Sequence, residues 1–381
     1  MSFMVSDTEE FFECIDDVTS GYDPVNDKIV LIYEDFRSSP AVGRLQMYGV
    51  VGTVDDMSVT WGTRVIINVT NTSGCKMEYE PLSGNFLVLF DDETMVVISV
   101  NGDSLDVGSE YPVPINVYRA GMVATGDGRM LVTGISTYVR GFVCSITGLV
   151  IVTGGAIDLS VAESDSSGNA TSAYDSVNDK YVVGFSDDNS PYNGKLIMLT
   201  LSALVITVVS ETTFIPGGKA VNVAVGYHPP TGNLLITCSD NELGWLSRAI
   251  VGIISGTSIA LSDPVYFSPC TFMGSDSYKI KYNSADGGMY LGYQDYDEFR
   301  PVVTRFELSG AIIDSYETEV IQPAPHGDGG GWNVAMALDT TSNRVIMFHK
   351  DESSSYQGLY WVVKWIPPVF WTEFKDQREL A

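Results

Sequence analysis

Positive charge is scarce in this sequence. Lys and Arg number 21 against 48 Asp and Glu, a formal net charge of -27. Phosphate backbones are held by clustered Lys and Arg, so this balance excludes a nucleic-acid surface and fits an acidic, soluble exterior. Histidine is nearly absent as well. His228 sits in a turn, His326 in a loop and His349 in a strand-like run. Their spacing matches no metal box, and no G-x-S-x-G elbow is present, so neither a metal centre nor a nucleophilic triad is expected. The five cysteines (Cys14, Cys75, Cys144, Cys238, Cys270) contain no CxxC pair, which points to reduced thiols without zinc. Long apolar runs are missing too. The longest, "LIMLTLSALVITVV" at 196–209, is broken by Thr and Ser and is shorter than the roughly 18 residues of a membrane span. It reads as two strands around a turn near Ser202, and no membrane insertion is expected. The first residues, "MSFMVSDTEEFFECIDD", lack a basic stretch followed by an apolar one, so a secretory signal is not expected.

What the chain does have is repetition. "YDPVNDKIVLIYED" from Tyr22 returns as "YDSVNDKYVVGFSD" from Tyr174, with echoes at "YEPLSGNFLVLFDD" and "YNSADGGMYLGYQD". Anchors fall at Tyr22, Tyr79, Thr125, Tyr174, Tyr227, Tyr282 and Leu338, about 53 residues apart, a spacing typical of propeller blades. Six positions after the anchor comes a turn-closing residue: Lys28, Asn85, Lys180, Asn233, Gly288 or Arg344. Thirteen after it comes an acid: Asp35, Asp92, Asp187, Asp240, Asp295 or Asp351. The third unit departs from the pattern. Its turn "GDGR" is two residues shorter, and Ser136 replaces the acid.

Between anchor and acid lies a β-branched and aromatic run of strand length, and third and fourth strand patterns follow the acid. Four antiparallel strands per unit, seven times, without helical periodicity, predict an all-β, seven-bladed propeller of four-stranded blades over 1–366. The seventh unit stops after its third strand at Pro367-Pro368, which cannot continue a central strand. Conversely, "SDTEEFFEC" near the start resembles the fourth-strand segment "SDPVYFSPC" from Ser262. Residues 1–14 are therefore expected to supply the outer strand of the last blade and remove its open edge. Residues 367–381 form a separate tail.

The recurrent acids could bind cations through hard oxygen ligands. The simpler expectation is that each carboxylate fixes its own loop by accepting backbone N–H bonds. The same loops carry aromatics suited to carbohydrate or protein recognition: Phe36, Tyr192, Trp245, Tyr296, Phe299 and Tyr356. In the tail, Phe370, Trp371 and Phe374 suggest a docking peg for a neighbouring subunit or packing against the propeller's own rim. No catalytic residue, metal site or cofactor motif is apparent. Adjacent acids such as Asp91-Asp92 point in different directions in a turn and make a poor glycosidase pair.

The unit "YDPVNDKIVLIYED" with its following "GRLQMYGVVGTV", and the Gly232–Phe267 unit beginning "GNLLITCSD", resemble the propeller repeats of virion proteins of tailed bacteriophages, especially those of marine hosts. The resemblance covers nearly the whole chain before Pro368 and is poorest in the third unit. It implies a non-enzymatic structural or adsorption role in a virion assembled in host cytoplasm. Other virion proteins would be the partners, with a host surface glycan or protein as a further one. WD40, kelch and sialidase-type motifs are absent. A soluble carbohydrate-binding propeller is the alternative, and a glycan-cleaving enzyme stands third.

Overall fold

The computed structural model describes residues 2–6, 9–12, 15–35, 46–68, 74–115, 120–163, 170–187, 193–216, 220–240, 246–268, 272–273, 279–295, 300–321, 334–351 and 357–366. Among them every regular element is a strand, and the strands form seven antiparallel sheets. Blade 1 shows the plan: Ile15–Asp23 innermost, then Lys28–Asp35, Gln46–Asp55 and an outer strand in two pieces, Ser58–Trp61 and Val65–Asn68. Blade 4 carries the 196–209 run as Gly194–Ser202 and Val205–Ile215, with Ser202 paired to Val205 across the expected turn.

Burial explains the composition of the second strands. "NFLVLF" and "NLLITCSD" are buried at every position, because each lies in mid-sheet and has another blade on either face. A strand covered on both sides needs a continuous apolar run instead of alternation. The core is accordingly divided into seven clusters, one for each gap between adjacent blades, including the gap between blades 7 and 1. Phe86, Val88 and Phe90 of blade 2, for example, pack on Val30, Ile32 and Met47 of blade 1. Full burial of a side chain of this size contributes roughly 1.5–3 kcal/mol. Since each cluster belongs to two blades, no blade has a core of its own.

Polar ties repeat with the same period. In blades 1, 2, 5 and 7 the residue six after the anchor reaches the outer hairpin turn of the next blade, where the sequence suggested only closure of its own turn. Lys28 Nζ contacts Asp103 Oδ1 of blade 2 at 2.9 Å, Asn85 donates to the Gly148 carbonyl of blade 3 at 2.9 Å, and Asn233 donates to the Gly310 carbonyl of blade 6 at 2.6 Å. Arg344 closes the circle 3.9 Å from Asp56 of blade 1. In blade 3 the register places Thr125 opposite Arg129, where Asp23 stands opposite Lys28. The structural anchor is thus Ala124, not Thr125, and the turn is one residue short instead of two. Arg129 still reaches the next blade, donating to the Ala203 carbonyl at 2.9 Å.

Blade 7 is assembled from distant parts of the chain. Val334–Asp339, Arg344–Asp351 and Gln357–Ile366 are joined by Ser2–Val5 and Glu9–Phe12, with Ser2 opposite Ile366 and Glu9 opposite Tyr360. At the break between the two pieces, Ser6 N–H donates to the Val362 carbonyl at 2.9 Å, and Ser6 Oγ accepts from Val362 N–H at 3.0 Å. Ser262 makes the same two bonds to Val251 in blade 5, each 2.9 Å. In blades 1, 2 and 3 this break is a glycine: Gly62, Gly108 and Gly154. A Cβ there would lie 2.0, 2.8 and 2.1 Å from the carbonyl oxygens of Asp103, Leu149 and Leu204 in the next blade. The expected N-terminal strand is therefore present and uses a serine where a glycine-tight approach is not required. The tail at 367–381 lies outside the described residues.

Candidate functional site: the axial channel and its mouth

The inner strands all run toward one face, where short turns join them to the second strands. Each turn is fastened by the side chain just before it. Asp23 Oδ1 accepts from Val25 N–H (2.9 Å) and Asn26 N–H (3.2 Å), and Asp175 does the same for Val177 and Asn178 at the same distances. Glu80, Asn283 and Asp339 hold the turns of blades 2, 6 and 7. Burying a carboxylate is tolerable here because backbone donors satisfy it. The last turn residue has positive φ in every blade: Asp27, Gly84, Gly128, Asp179, Gly232, Gly287 and Asn343. That accounts for the Asn, Asp and Gly at these positions.

Bonds between turns make a girdle around the axis. Tyr22 Oη donates to Asp27 (2.7 Å) and meets Thr341 Oγ1 of blade 7 (2.6 Å). Gly128 N–H donates to Glu80 of blade 2 (3.0 Å), and Asn283 donates to Asn343 of blade 7 (2.6 Å). His228 occupies the same fastening position in blade 5, with Nδ1 2.8 Å from Thr231 Oγ1 and Nε2 3.2 Å from the Gly287 carbonyl. Burial lowers its pKa, opposed by that carbonyl. His228 is thus a structural residue, as its turn position suggested.

Within this girdle the channel opens into a cavity of about 320 Å³ walled by Tyr22, Tyr79, Tyr282, Met77, Met336 and Leu338. Pro24 and Pro81 form its lip. The tips beyond the lip are apolar and exposed: Val25 at 74%, Leu82 at 69% and Val177 at 72%. All three stand three residues after the anchor, a regularity visible in the sequence but hidden there because isolated apolar residues in turns are ordinary.

Deeper in, a polar strut crosses the channel. Lys279 and Lys281 on the inner strand of blade 6 both reach Glu78 on the inner strand of blade 2, Lys279 at 3.1 Å. Lys279 also donates to the Met77 carbonyl. Burial alone would raise the Glu78 pKa, but the two ammonium groups outweigh it and hold the carboxyl below its ordinary range. Nothing in the sequence pairs these residues, which lie about 200 positions apart. Above the strut is a second cavity of about 50 Å³, lined by Lys76, Gly121, Thr171 and Ser172 among others.

The recurrent acids lie at the other face and do different work. Asp35 is ion-paired with Arg64, whose guanidinium lies 3.5 Å from the Tyr48 ring centroid. Asp240 is paired with Arg248, which lies over Tyr266 at 5.5 Å. Asp92 accepts from Thr94 N–H at 3.1 Å, and the Asp187 N–H donates to the Asn193 carbonyl at 2.9 Å. In blade 3, where Ser136 replaces the acid, Arg140 pairs with Asp158 instead, at 2.9 Å. Asp295 and Asp351 end their strands. The Asp35, Asp92 and Asp240 carboxylates are therefore each held within their own blade. Among the described residues no three His, Cys, Asp or Glu side chains converge on one point. Cys75, Cys144 and Cys238 are free and buried, and burial pushes the Cys144 thiol up to about 12. The loop aromatics Phe36, Tyr192, Trp245, Tyr296, Phe299 and Tyr356, and the tail residues Phe370, Trp371 and Phe374, lie outside the described residues.

Solved structures place this arrangement in a known architecture. The chain folds as a seven-bladed β-propeller. It is similar to a protein from Lactobacillus plantarum, with a TM-score of 0.55 and 9% identity over 77% of this chain and 82% of the other. It is also similar to Chaetomium thermophilum Sqt1, with a TM-score of 0.54 and 11% identity over 93% of this chain and 98% of that one. At these identities the likeness concerns the fold alone. No family model and no curated protein matches the sequence.

Proposed function

We propose that this propeller is a non-enzymatic interaction scaffold and a structural component of a tailed-phage virion, meeting other virion proteins through its turn face. The carrying observation is the set of three exposed apolar tips, Val25, Leu82 and Val177, on the turns of blades 1, 2 and 4, at the face where the tyrosine-walled cavity opens. Apolar residues held on rigid turns at equivalent positions of several blades give a partner a preformed surface, at little cost in ordering. The phage assignment rests on the resemblance of the repeat, and buried unpaired thiols agree with assembly in a reducing cytoplasm. The structural role of the channel carboxylates and of the paired acids supports a role without chemistry.

The test is a mass-spectrometric inventory of purified particles, with copy number measured against the major capsid protein. Stoichiometric presence is the expected result, and absence from particles would overturn the assignment. Within particles, Leu82→Asp is expected to reduce incorporation at least about tenfold while leaving the melting temperature of the isolated chain unchanged.

A further inference from the structure

We propose that the upper axial cavity binds a small oxyanion, a phosphate or carboxylate group, through Lys279, Lys281 and Ser172. The two lysines of the strut have hydrogen-bond donors to spare. An ammonium group offers three N–H donors. Lys279 uses them on the Met77 carbonyl and Glu78, and Lys281 uses them on Glu78 alone. One donor remains on the first and two on the second. Ser172 Oγ, on the wall of the same cavity, is shielded from solvent and has no hydrogen-bond partner. Its neighbour Thr171 is already committed to the Val223 carbonyl at 3.0 Å.

Charge points the same way. Two partly exposed ammonium groups share one nearly buried carboxylate, which leaves a positive excess of one on the strut. Lys76 lines the cavity too, with contacts of its own, and Asp17 of blade 1 is a second carboxylate near the top of this inner strand. Burial pushes the Lys279 pKa down, Glu78 opposes that, and Lys281 and Lys76 add to it by repulsion. A partly buried positive excess is stabilised by an anion that accepts the spare donors. Glu78 is the group on the wall that repels an anion, and both of its oxygens are engaged by the lysines. A volume of about 50 Å³ suits one small ion and is too small for a nucleotide or a sugar.

The intact chain should be titrated with sodium phosphate, and separately with sodium acetate, at an ionic strength fixed with chloride, and followed by calorimetry and thermal melting. Saturable binding is expected, weakened about tenfold or more by Lys281→Gln and several-fold by Ser172→Ala, with Lys28→Gln at the rim as an unaffected control. Ser172→Ala removes a hydroxyl with no partner, so it keeps the test sound if Lys281→Gln fails to fold. Binding of phosphate alone identifies a free or phosphorylated ligand, whereas equal binding of acetate identifies an acidic side chain entering along the axis. No saturable response to either ion, or a response that is unchanged in both variants, overturns the proposal.

Discussion

Blades 5 and 7 use the same device to finish their sheets, yet one is continuous in sequence and the other is not. In blade 5 the outer strand follows its neighbour through the turn at Gly256, and Ser262 fixes the break between its two pieces. In blade 7 the equivalent serine is Ser6, delivered from the opposite end of the chain to Val362. Identical bonds in the two places show that the register is set by strand-to-strand chemistry, not by the connecting turn. The difference lies in the reference state. Unfolding blade 5 leaves its outer strand tethered by a short hairpin, whereas the blade 7 partner must be brought back over a loop of some 350 residues, at an entropic cost that grows only with the logarithm of length.

The sharpest way to break this comparison is to remove the closing strand. Deletion of residues 1–13 strips the outer strand from blade 7 and exposes Trp365, against which Phe3 packs edge-on with centroids 5.1 Å apart. The melting temperature should fall by on the order of 10 °C or more, and an unchanged value would mean that the seam contributes nothing. Next comes Glu78→Gln, which leaves the partly exposed Lys279 and the more exposed Lys281 without their shared carboxylate and should cost about 2–4 kcal/mol in chemical denaturation. The strut joins blades 6 and 2, so it spans the short arc that contains blades 7 and 1 and braces the seam from inside. Its pH dependence follows from the depressed Glu78 pKa. The contribution is present above the ordinary glutamate range and is lost as pH falls through the lower folded value, so the acid limb of the stability curve should flatten in Glu78→Gln.

Smaller effects sharpen the comparison. Gly154→Ala sets a Cβ against the Leu204 carbonyl and should destabilise by about 1–3 kcal/mol, measured by denaturant midpoint. Ser262→Ala and Ser6→Ala each orphan one backbone N–H and should cost about 1 kcal/mol. Equal values would show that blade 7 is as tightly closed as blade 5, and a much smaller one at Ser6 would show a frayed seam.

Much of the fold was readable because the repeat is written in spacing. The fixed offsets of six and thirteen residues marked blades whose second strands are buried on both faces, and Pro367-Pro368 marked where the last blade runs out. Local spacing could not say where a side chain reaches. Lys28, Asn85 and Asn233 read as turn residues, although their partners lie on the next blade, because inter-blade contact has no fixed separation in sequence. Thr125 looked like an anchor since the short turn of unit 3 shifts the register by one, and only pairing with Arg129 reveals it. The Lys279–Glu78–Lys281 strut depends on ring geometry alone. The apolar tips carried a faint signal, the third position after the anchor, in turns where an isolated apolar residue is ordinary.

Opposite placement of Ser2 and Ile366 also decides how the ring answers to force. Tension that pulls these two residues apart loads one pair of the seam at a time, like a zipper opened from its end. A load that slides blade 7 past blade 1 must instead disrupt the shared core around Tyr360 and Phe348 all at once. The protein should therefore bear lateral crowding far better than a pull on its two ends.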